Sequence, residues 1–442
     1  MRVNEINTWT AWQMAEAINR GDVSAKEVTQ SCLDRIAKRE DAVKAWAFWD
    51  PDLALKQARA CDEHRTAGKP LDLLHGVPVG LKDIIDTADM PTENGSDHFK
   101  GRRPTRDAAS VALLRAAGAV ILGKTVTTEF AMTGQRGTVN PHDPARTPGG
   151  SSSGSGAGVA DFMVPLALGS QTGGSMLRPA SFCGVHGYKP TYGSISRHGV
   201  FILARALDHL GVYARSLKDI AMAGDVLMVR DVSDFDMRAH PGARLAETLA
   251  ETEGLPPRLA FVKGPPWAFA EPYMDELFGG YVDGLGDIPE VTLGGIFDDA
   301  LEAQATVMNA NAWMNLREYV DNNEDRLQAE TVRRAVAGRD ILASDYIAAR
   351  ELTDSLIAAL DGLFEHYDAL ITAAAPGEAP IGLESTGNAV FQRIWTLTGL
   401  PTMSLPLLKG PNNMPIGVQV IGKRGKDADL MRVVRWVEEQ ST

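Results

Sequence analysis

Between Thr147 and Pro190 the chain reads TPGGSSSGSGAGVADFMVPLALGSQTGGSMLRPASFCGVHGYKP, and no other stretch restricts the fold as strongly. Two glycine–serine clusters, Gly149 to Gly158 and Gly169 to Ser175, bracket an apolar segment, Val159 to Leu168. Glycine lets backbone approach backbone and can turn N–H groups toward a developing negative charge. The expectation is two loops at the ends of one short apolar segment, forming two parts of one built site.

The flanking sequence sets the architecture. Trp9, Trp12, Ala15 and Ile18 fall on one helical face, and Gly21 can end that helix. Ser24-Ala-Lys-Glu27 has the capping-box form, and Val28, Cys32 and Ile36 continue one face. Residues 8–48 are therefore expected to be two helices. Asp50-Pro51 opens a third, through Cys61. Leu73 to Asp83 predicts a short buried strand bearing Lys82, Asp107 to Ala117 an amphipathic helix with an N-terminal Asp, and Val120 to Leu122 a buried strand. A capped helix follows Ser216, and residues 265–360 are mostly helical. Further strands are expected at 259–262, 367–372, 402–405 and 414–422, with a C-terminal helix after the last. Helices alternating with short apolar strands indicate an α/β protein. No internal repeat or long linker appears, so one domain over 1–442 is expected, with 230–360 as its more variable helical part.

Several function classes drop out. A net charge of -13 argues against nucleic acid, whose binding needs Lys and Arg to neutralise phosphates. The three cysteines form no Cys-x-x-Cys pair, and their odd number fits a reducing compartment. No signal-peptide h-region and no membrane-length apolar run is visible, so the expectation is a cytoplasmic protein with no membrane partner. There is no His-Glu-x-x-His and no His/Cys/carboxylate cluster, so neither metal nor cofactor is expected.

Two motif matches fail on context. Gly118-Ala-Val-Ile-Leu-Gly-Lys-Thr125 satisfies the phosphate-loop pattern, but its variable positions are those of a strand, and a helix precedes it instead of following it. Gly150-Ser-Ser-Ser-Gly154 satisfies the nucleophile-elbow pattern, but the residues before it are a loop. Of the histidines only His366 lies far downstream, in a charged helix end.

A serine hydroxyl is a weak nucleophile until a base takes its proton. A lysine can serve where burial keeps it neutral. Lys82 follows Val77, Pro78, Val79, Gly80 and Leu81, and strand alternation turns Asp83 to the opposite side. Sequence alone leaves two readings open, a buried base or a lysine reaching the surface from a strand end.

At this point the glycine–serine runs, Arg178-Pro-Ala-Ser-Phe-Cys-Gly-Val-His-Gly-Tyr-Lys-Pro-Thr-Tyr-Gly193 and the upstream Gly76-Val-Pro-Val-Gly-Leu-Lys-Asp83 together resemble the amidase signature family. Ala206-Leu-Asp-His-Leu-Gly211, Gly399 to Pro406 and Pro415 to Gly422 resemble its later segments, so the likeness spans about residues 55–435, after N-terminal helices in 1–54. The resemblance implies a large mixed central β-sheet covered by helices on both faces. It implies a Ser–cis-Ser–Lys triad with Ser175 as nucleophile, Ser151 as relay and Lys82 as base. The N–H groups of Thr172, Gly173, Gly174 and Ser175 would form the oxyanion hole, each donor being worth about 2.7–4 kcal/mol in comparable sites. The reaction implied is hydrolysis of a small amide through a Ser acyl-enzyme.

Pocket residues follow from the same resemblance. Ala131 and Thr133 are expected in the pocket wall, Trp395 and Met308 are candidates for lining it, and Asp208 is expected to hold the signature loops. Gln171 stands where many members carry Asp, and Arg178 lies three residues after the nucleophile where many carry Arg at two. That form resembles malonamidase-like enzymes, so Arg178 is a candidate for binding a substrate carboxylate; a structural Arg is the other reading. The alternative function is the glutaminase subunit of a tRNA-dependent amidotransferase, from which Gln171 and the Arg placement set the chain apart. A homodimer is the expected assembly.

Overall fold

The computed structural model describes residues 3–237, 242–251 and 255–441; the parts of the expected domain at 1–2, 238–241, 252–254 and 442, some of them inside the 1–54 and 230–360 segments, lie outside the described residues. Its strands are β1 (Trp46–Trp49), β2 (Pro78–Lys82), β3 (Val120–Thr125), β4 (Leu166–Gln171), β5 (His186–Lys189), β6 (His209–Ala214), β7 (Leu259–Lys263), β8 (Glu290–Thr292), β9 (Ala369–Ala373), β10 (Thr402–Lys409) and β11 (Pro415–Gly422). They form one sheet in the order β1-β3-β2-β4-β6-β5-β10-β11-β9-β7-β8. β2 runs parallel to both β3 and β4, and β7 parallel to β8 and β9, while the other pairs are antiparallel. The sheet is large and mixed, as the resemblance implies.

Alternation along single strands places helices on both faces. Val120 and Leu122 of β3 pack with Ile18, Val28 and Ile36 of the N-terminal helices. Ile121 between them packs with Val111 and Leu114 of the helix Ala109–Ala116. On β9, Leu370 meets Leu356 and Leu360 of the helix Ala343–Leu363, while Ile371 shares a core with Val434 of the C-terminal helix Asp427–Gln440. Among the described residues, no helix is long and apolar enough to cross a membrane.

The helices Ala11–Arg20 and Ala25–Val43 start at Thr10 and Ser24 capping boxes, and Gly21 ends the first in the left-handed conformation. The second stops earlier than expected. Lys44 caps it at φ 55°, and the Glu40 carboxylate accepts the N–H groups of Ala45 and Trp46, turning the chain into β1. Trp46 to Trp49 is thus a strand antiparallel to β3, not the end of a helix. The helix after Asp107 also differs, since it begins beyond Ala108 without a side-chain cap. The Asp107 carboxylate instead accepts from Ala88 N–H and Arg115.

The largest departure concerns the glycine–serine clusters. The first is mostly a helix, Ser153–Ala160, and the second begins as strand β4. The helix is buried along almost its whole length. A Cβ at Gly154 would meet Ala45 O at 2.1 Å and Val126 N at 2.4 Å, so glycine there permits backbone contact instead of loop formation.

Candidate active site

Lys82 is the last residue of β2, in the parallel part of the sheet. Register pairs Lys82 with Thr125 and Leu81 with Lys124, so Lys82 and Lys124 lie on opposite faces. The side chain of Lys82 is fully buried. Its Nζ lies 2.6 Å from Ser151 Oγ and 2.7 Å from Ser170 Oγ, donating to both. Among the described residues no carboxylate forms an ion pair with it. Burial holds Lys82 well below the ordinary lysine value, and the charge of Asp208 opposes this only in part. Asp83 turns away, as alternation predicts, and lies 3.5 Å from Lys124. Asp86 is taken by Arg102 at 2.7 Å.

Ser151 follows a cis peptide bond to Gly150. Its carbonyl accepts from Thr128 N–H at 3.1 Å, and its Cα stands just before the buried helix. Gly149 precedes it at φ 82°, where a Cβ would strike Pro179 Cα at 2.9 Å. Arg178 holds this turn from the other side. Its Nη2 donates to Gly150 O at 2.5 Å and to Thr386 Oγ1 at 2.9 Å, and its Nη1 donates to Gly387 O at 2.9 Å. The Arg178 fork is therefore largely committed to protein acceptors, although the residue also borders the cavity.

Ser175 borders a cavity of about 370 Å³, together with Thr172, Gly173, Gly174, Ala131 and Thr133. The loop before it is fixed through its carbonyls. Gln304 Nε2 donates to Thr172 O at 3.2 Å, Thr396 Oγ1 to Gly173 O at 2.8 Å and Tyr213 Oη to Ser175 O at 2.9 Å. In a planar trans peptide the N–H points opposite to the C=O, so the N–H groups of Gly173 and Gly174 are turned away from these anchors. Among the described residues, neither they nor Ser175 N–H donates a hydrogen bond. Buried donors are normally paired, so these three are open for an acceptor in the cavity. A Cβ on Gly174 would meet Gln392 Oε1 at 2.5 Å; one on Gly173 would have only Gln304 Nε2, at 4.0 Å, and would project into open space.

Asp208 ties the same loop to the 203–208 turn. Its carboxylate accepts from Thr172 Oγ1 at 2.5 Å and from the N–H groups of Leu203 and Ala204. Gln171, fully buried, accepts from Met176 and Leu177 N–H through Oε1 and donates from Nε2 to Thr396 Oγ1 at 2.9 Å. It caps the helix Leu177–Cys183 and is not among the cavity residues.

The structure thus brings Lys82 and Ser151 into contact and sets Ser175, the glycine loop, Arg178, Ala131 and Thr133 around one cavity. Met308 borders that cavity, whereas Trp395 is core, packed with Leu397 and Leu400. His366 is exposed at its helix end and is not among the cavity residues. Sequence reasoning missed Ser170, the second hydroxyl on Lys82; its only signal was a polar residue after the apolar start of strand β4, beside Gln171. It also missed Gln304, Thr396 and Tyr213, and the cavity residues Arg334 and Arg393, which belong to segments without a motif.

Comparison with known proteins places this geometry. A family model described as Amidase matches residues 27–431, starting earlier than the expected core. A glutamyl-tRNA(Gln) amidotransferase subunit of Chloroflexus aurantiacus is 32% identical over 98% of this chain and 96% of its own length. A solved chain from a vestigial protein complex, described as revealing the evolutionary origins of an s-triazine catabolic enzyme, superposes with a TM-score of 0.91 at 27% identity, covering 98% of each chain. The peptide amidase of Stenotrophomonas maltophilia superposes with a TM-score of 0.82 at 25% identity, over 98% of this chain and 97% of that one. The chain belongs to the amidase signature family, and it is an amide hydrolase acting on C–N bonds.

Proposed function

We propose that the chain cleaves a primary amide through an acyl-enzyme on Ser175, with Ser151 as relay and Lys82 as base. The observation that carries this reading is the pair of hydroxyls on Lys82 Nζ, with Ser151 at 2.6 Å, in a pocket where burial disfavours the ammonium. Neutral Lys82 donates to Ser170 and accepts the Ser151 proton on its lone pair. Ser151 in turn takes the proton of Ser175, whose oxygen attacks the amide carbon. The oxyanion forms against the N–H groups of Gly173, Gly174 and Ser175, with Thr172 N–H as a further donor. The proton returns through Ser151 to the leaving nitrogen, the C–N bond breaks, and water releases the acid.

For the substrate, the relatives support glutamine first. The curated relatives are named as components of an amidotransferase, and the solved neighbour comes from a protein complex. The two sequence departures that speak for a free-standing enzyme lose their weight, because Gln171 caps a helix and Arg178 braces the Gly150 turn. A free-standing hydrolase of a small carboxylated amide is the second reading, favoured by the arginines around the cavity. Ammonia release from L-glutamine and from small aliphatic amides by the isolated chain separates the two. Ser175→Ala is expected to remove at least about 10⁴-fold of turnover with the fold intact by circular dichroism. Full activity in that variant contradicts the acyl-enzyme.

A further inference from the structure

Three guanidinium groups border the cavity that holds Ser175: Arg178, Arg334 and Arg393. Their surroundings differ. Arg178 donates from both Nη atoms to Gly150, Thr386 and Gly387, and only its buried Nε has no partner among the described residues. Arg334 donates from Nε to Glu330 Oε1 at 2.7 Å, and Glu330 also takes Arg333 at 2.6 Å. The guanidinium of Arg393, half-buried on the helix Val390–Leu397, makes no hydrogen bond or ion pair with any described residue. The remaining acid on the cavity, Glu384, is exposed and forms no ion pair among the described residues.

The three cations also act on one another. Arg393 and Arg334 both depress Arg178, and Arg334 depresses Arg393, each beside the larger effect of burial. A desolvated cation beside two like charges is unfavourable unless an anion joins it. Glu330 is already shared between two arginines, so the protein does not supply that anion to Arg393. The same cavity is bordered by the glycine loop with its open N–H donors, by Ser175 and by Arg393, which offers a planar fork suited to a carboxylate.

We infer that Arg393 is the specificity residue for an amide whose far end carries a carboxylate. This rests on the amidase reading and assigns the carboxylate role to Arg393 in place of Arg178. A dicarboxylic acid monoamide and the side-chain amide of glutamine share this chemistry; glutamine adds an ammonium, for which Glu384 is the available partner.

The test compares kcat/KM for succinamate and for butyramide, its uncharged analogue, in the wild type and in Arg393→Ala and Arg393→Lys. The wild type is expected to favour succinamate by about a hundredfold, with Arg393→Ala bringing the ratio near unity through KM and Arg393→Lys retaining part of it. An unchanged ratio in Arg393→Ala, or no wild-type preference, overturns the proposal while leaving the amidase reading in place. Succinate binding by calorimetry to the wild type and to Arg393→Ala provides a readout independent of turnover. If neither of these amides nor L-glutamine is cleaved, the amidase reading is what fails; the anion site then stands if succinate binds and Arg393→Ala weakens it at least tenfold, and falls if it does not. L-Glutamine against glutaric acid monoamide tells the two sources apart, and the proposal holds whichever is faster provided Arg393→Ala slows the preferred one.

Discussion

Lys82 ends β2 and Lys124 stands one residue before the end of its parallel neighbour β3, on opposite faces of one sheet, and both are wholly buried. Their partners make them different groups. Lys124 donates to Ile85 O and Thr92 Oγ1, each at 2.6 Å, and to Pro91 O at 3.3 Å, with the Asp83 carboxylate at 3.5 Å. Among the described residues, Lys82 has only the hydroxyls of Ser151 and Ser170 as side-chain partners. Burial pushes both lysines down, but Lys124 has a carboxylate to compensate its charge, and the hydroxyl it meets, that of Thr92, is not among the residues of the Ser175 cavity. Lys82 meets groups that both accept and give a proton. Burial alone does not make a base; a buried lysine is suited to be one when no carboxylate holds its proton and its partners are hydroxyls that carry protons.

Exchanging each lysine for methionine breaks the comparison most sharply. Lys82→Met is expected to lower kcat/KM by about 10³–10⁴-fold. Its effect on stability has the opposite sign from a lost ion pair. The folded-state value of Lys82 lies below its ordinary 10.5, so the unfolded chain holds the proton over that window and burying Lys82 costs stability increasingly as pH falls through it. Methionine removes that cost, and denaturant unfolding near neutral pH should find the variant at least as stable as the wild type. A loss of several kcal/mol would mean that Lys82 is charged and structural.

Lys124→Met should do the reverse, keeping kcat per folded molecule but destabilising by about 3–5 kcal/mol, because Asp83 is left buried without its cation. Burial already raises the Asp83 carboxyl to about 6. Once protonated, that carboxyl no longer needs the cation, so the deficit should be smaller at about pH 5 than at about pH 8 in paired unfolding curves.

Ser170→Ala refines the comparison with the smallest effect. Its hydroxyl accepts from Lys82 and so favours the ammonium form. Removing it should lower the Lys82 value further, moving the rising limb of kcat/KM toward lower pH, with a loss of about tenfold in kcat from a less fixed amine. A limb that stays in place would show that Ser170 does not act on the base.

Much of this was legible in the chain. The capping boxes at Thr10 and Ser24 and the left-handed Gly21 are local, and local chemistry survives folding. Lys82 stood out because an apolar strand ending in lysine is unusual, and period-two alternation put Asp83 on the other face. The glycine–serine clusters were legible as a site but not as structure. Gly154 and Gly156 serve a buried helix against Ala45, Val126 and Pro179, residues distant in sequence, and composition cannot tell such a helix from a loop. Gln171 looked like a mark of substrate choice, but its role depends on Thr396, 225 residues away. Arg334 and Arg393 come from helices with no motif, and only the fold brings them to the cavity that Ser175 borders.

The central claim is that an uncharged Lys82 activates Ser175. Serine-directed fluorophosphonate labelling across a pH series, with the site read by peptide mass spectrometry, tests it most directly. The account predicts labelling at Ser175, at a rate that rises through a single ionisation below 10.5 and collapses in Lys82→Met while persisting in folded Lys124→Met. Labelling at another serine, or wild-type labelling of Ser175 in Lys82→Met, would contradict it.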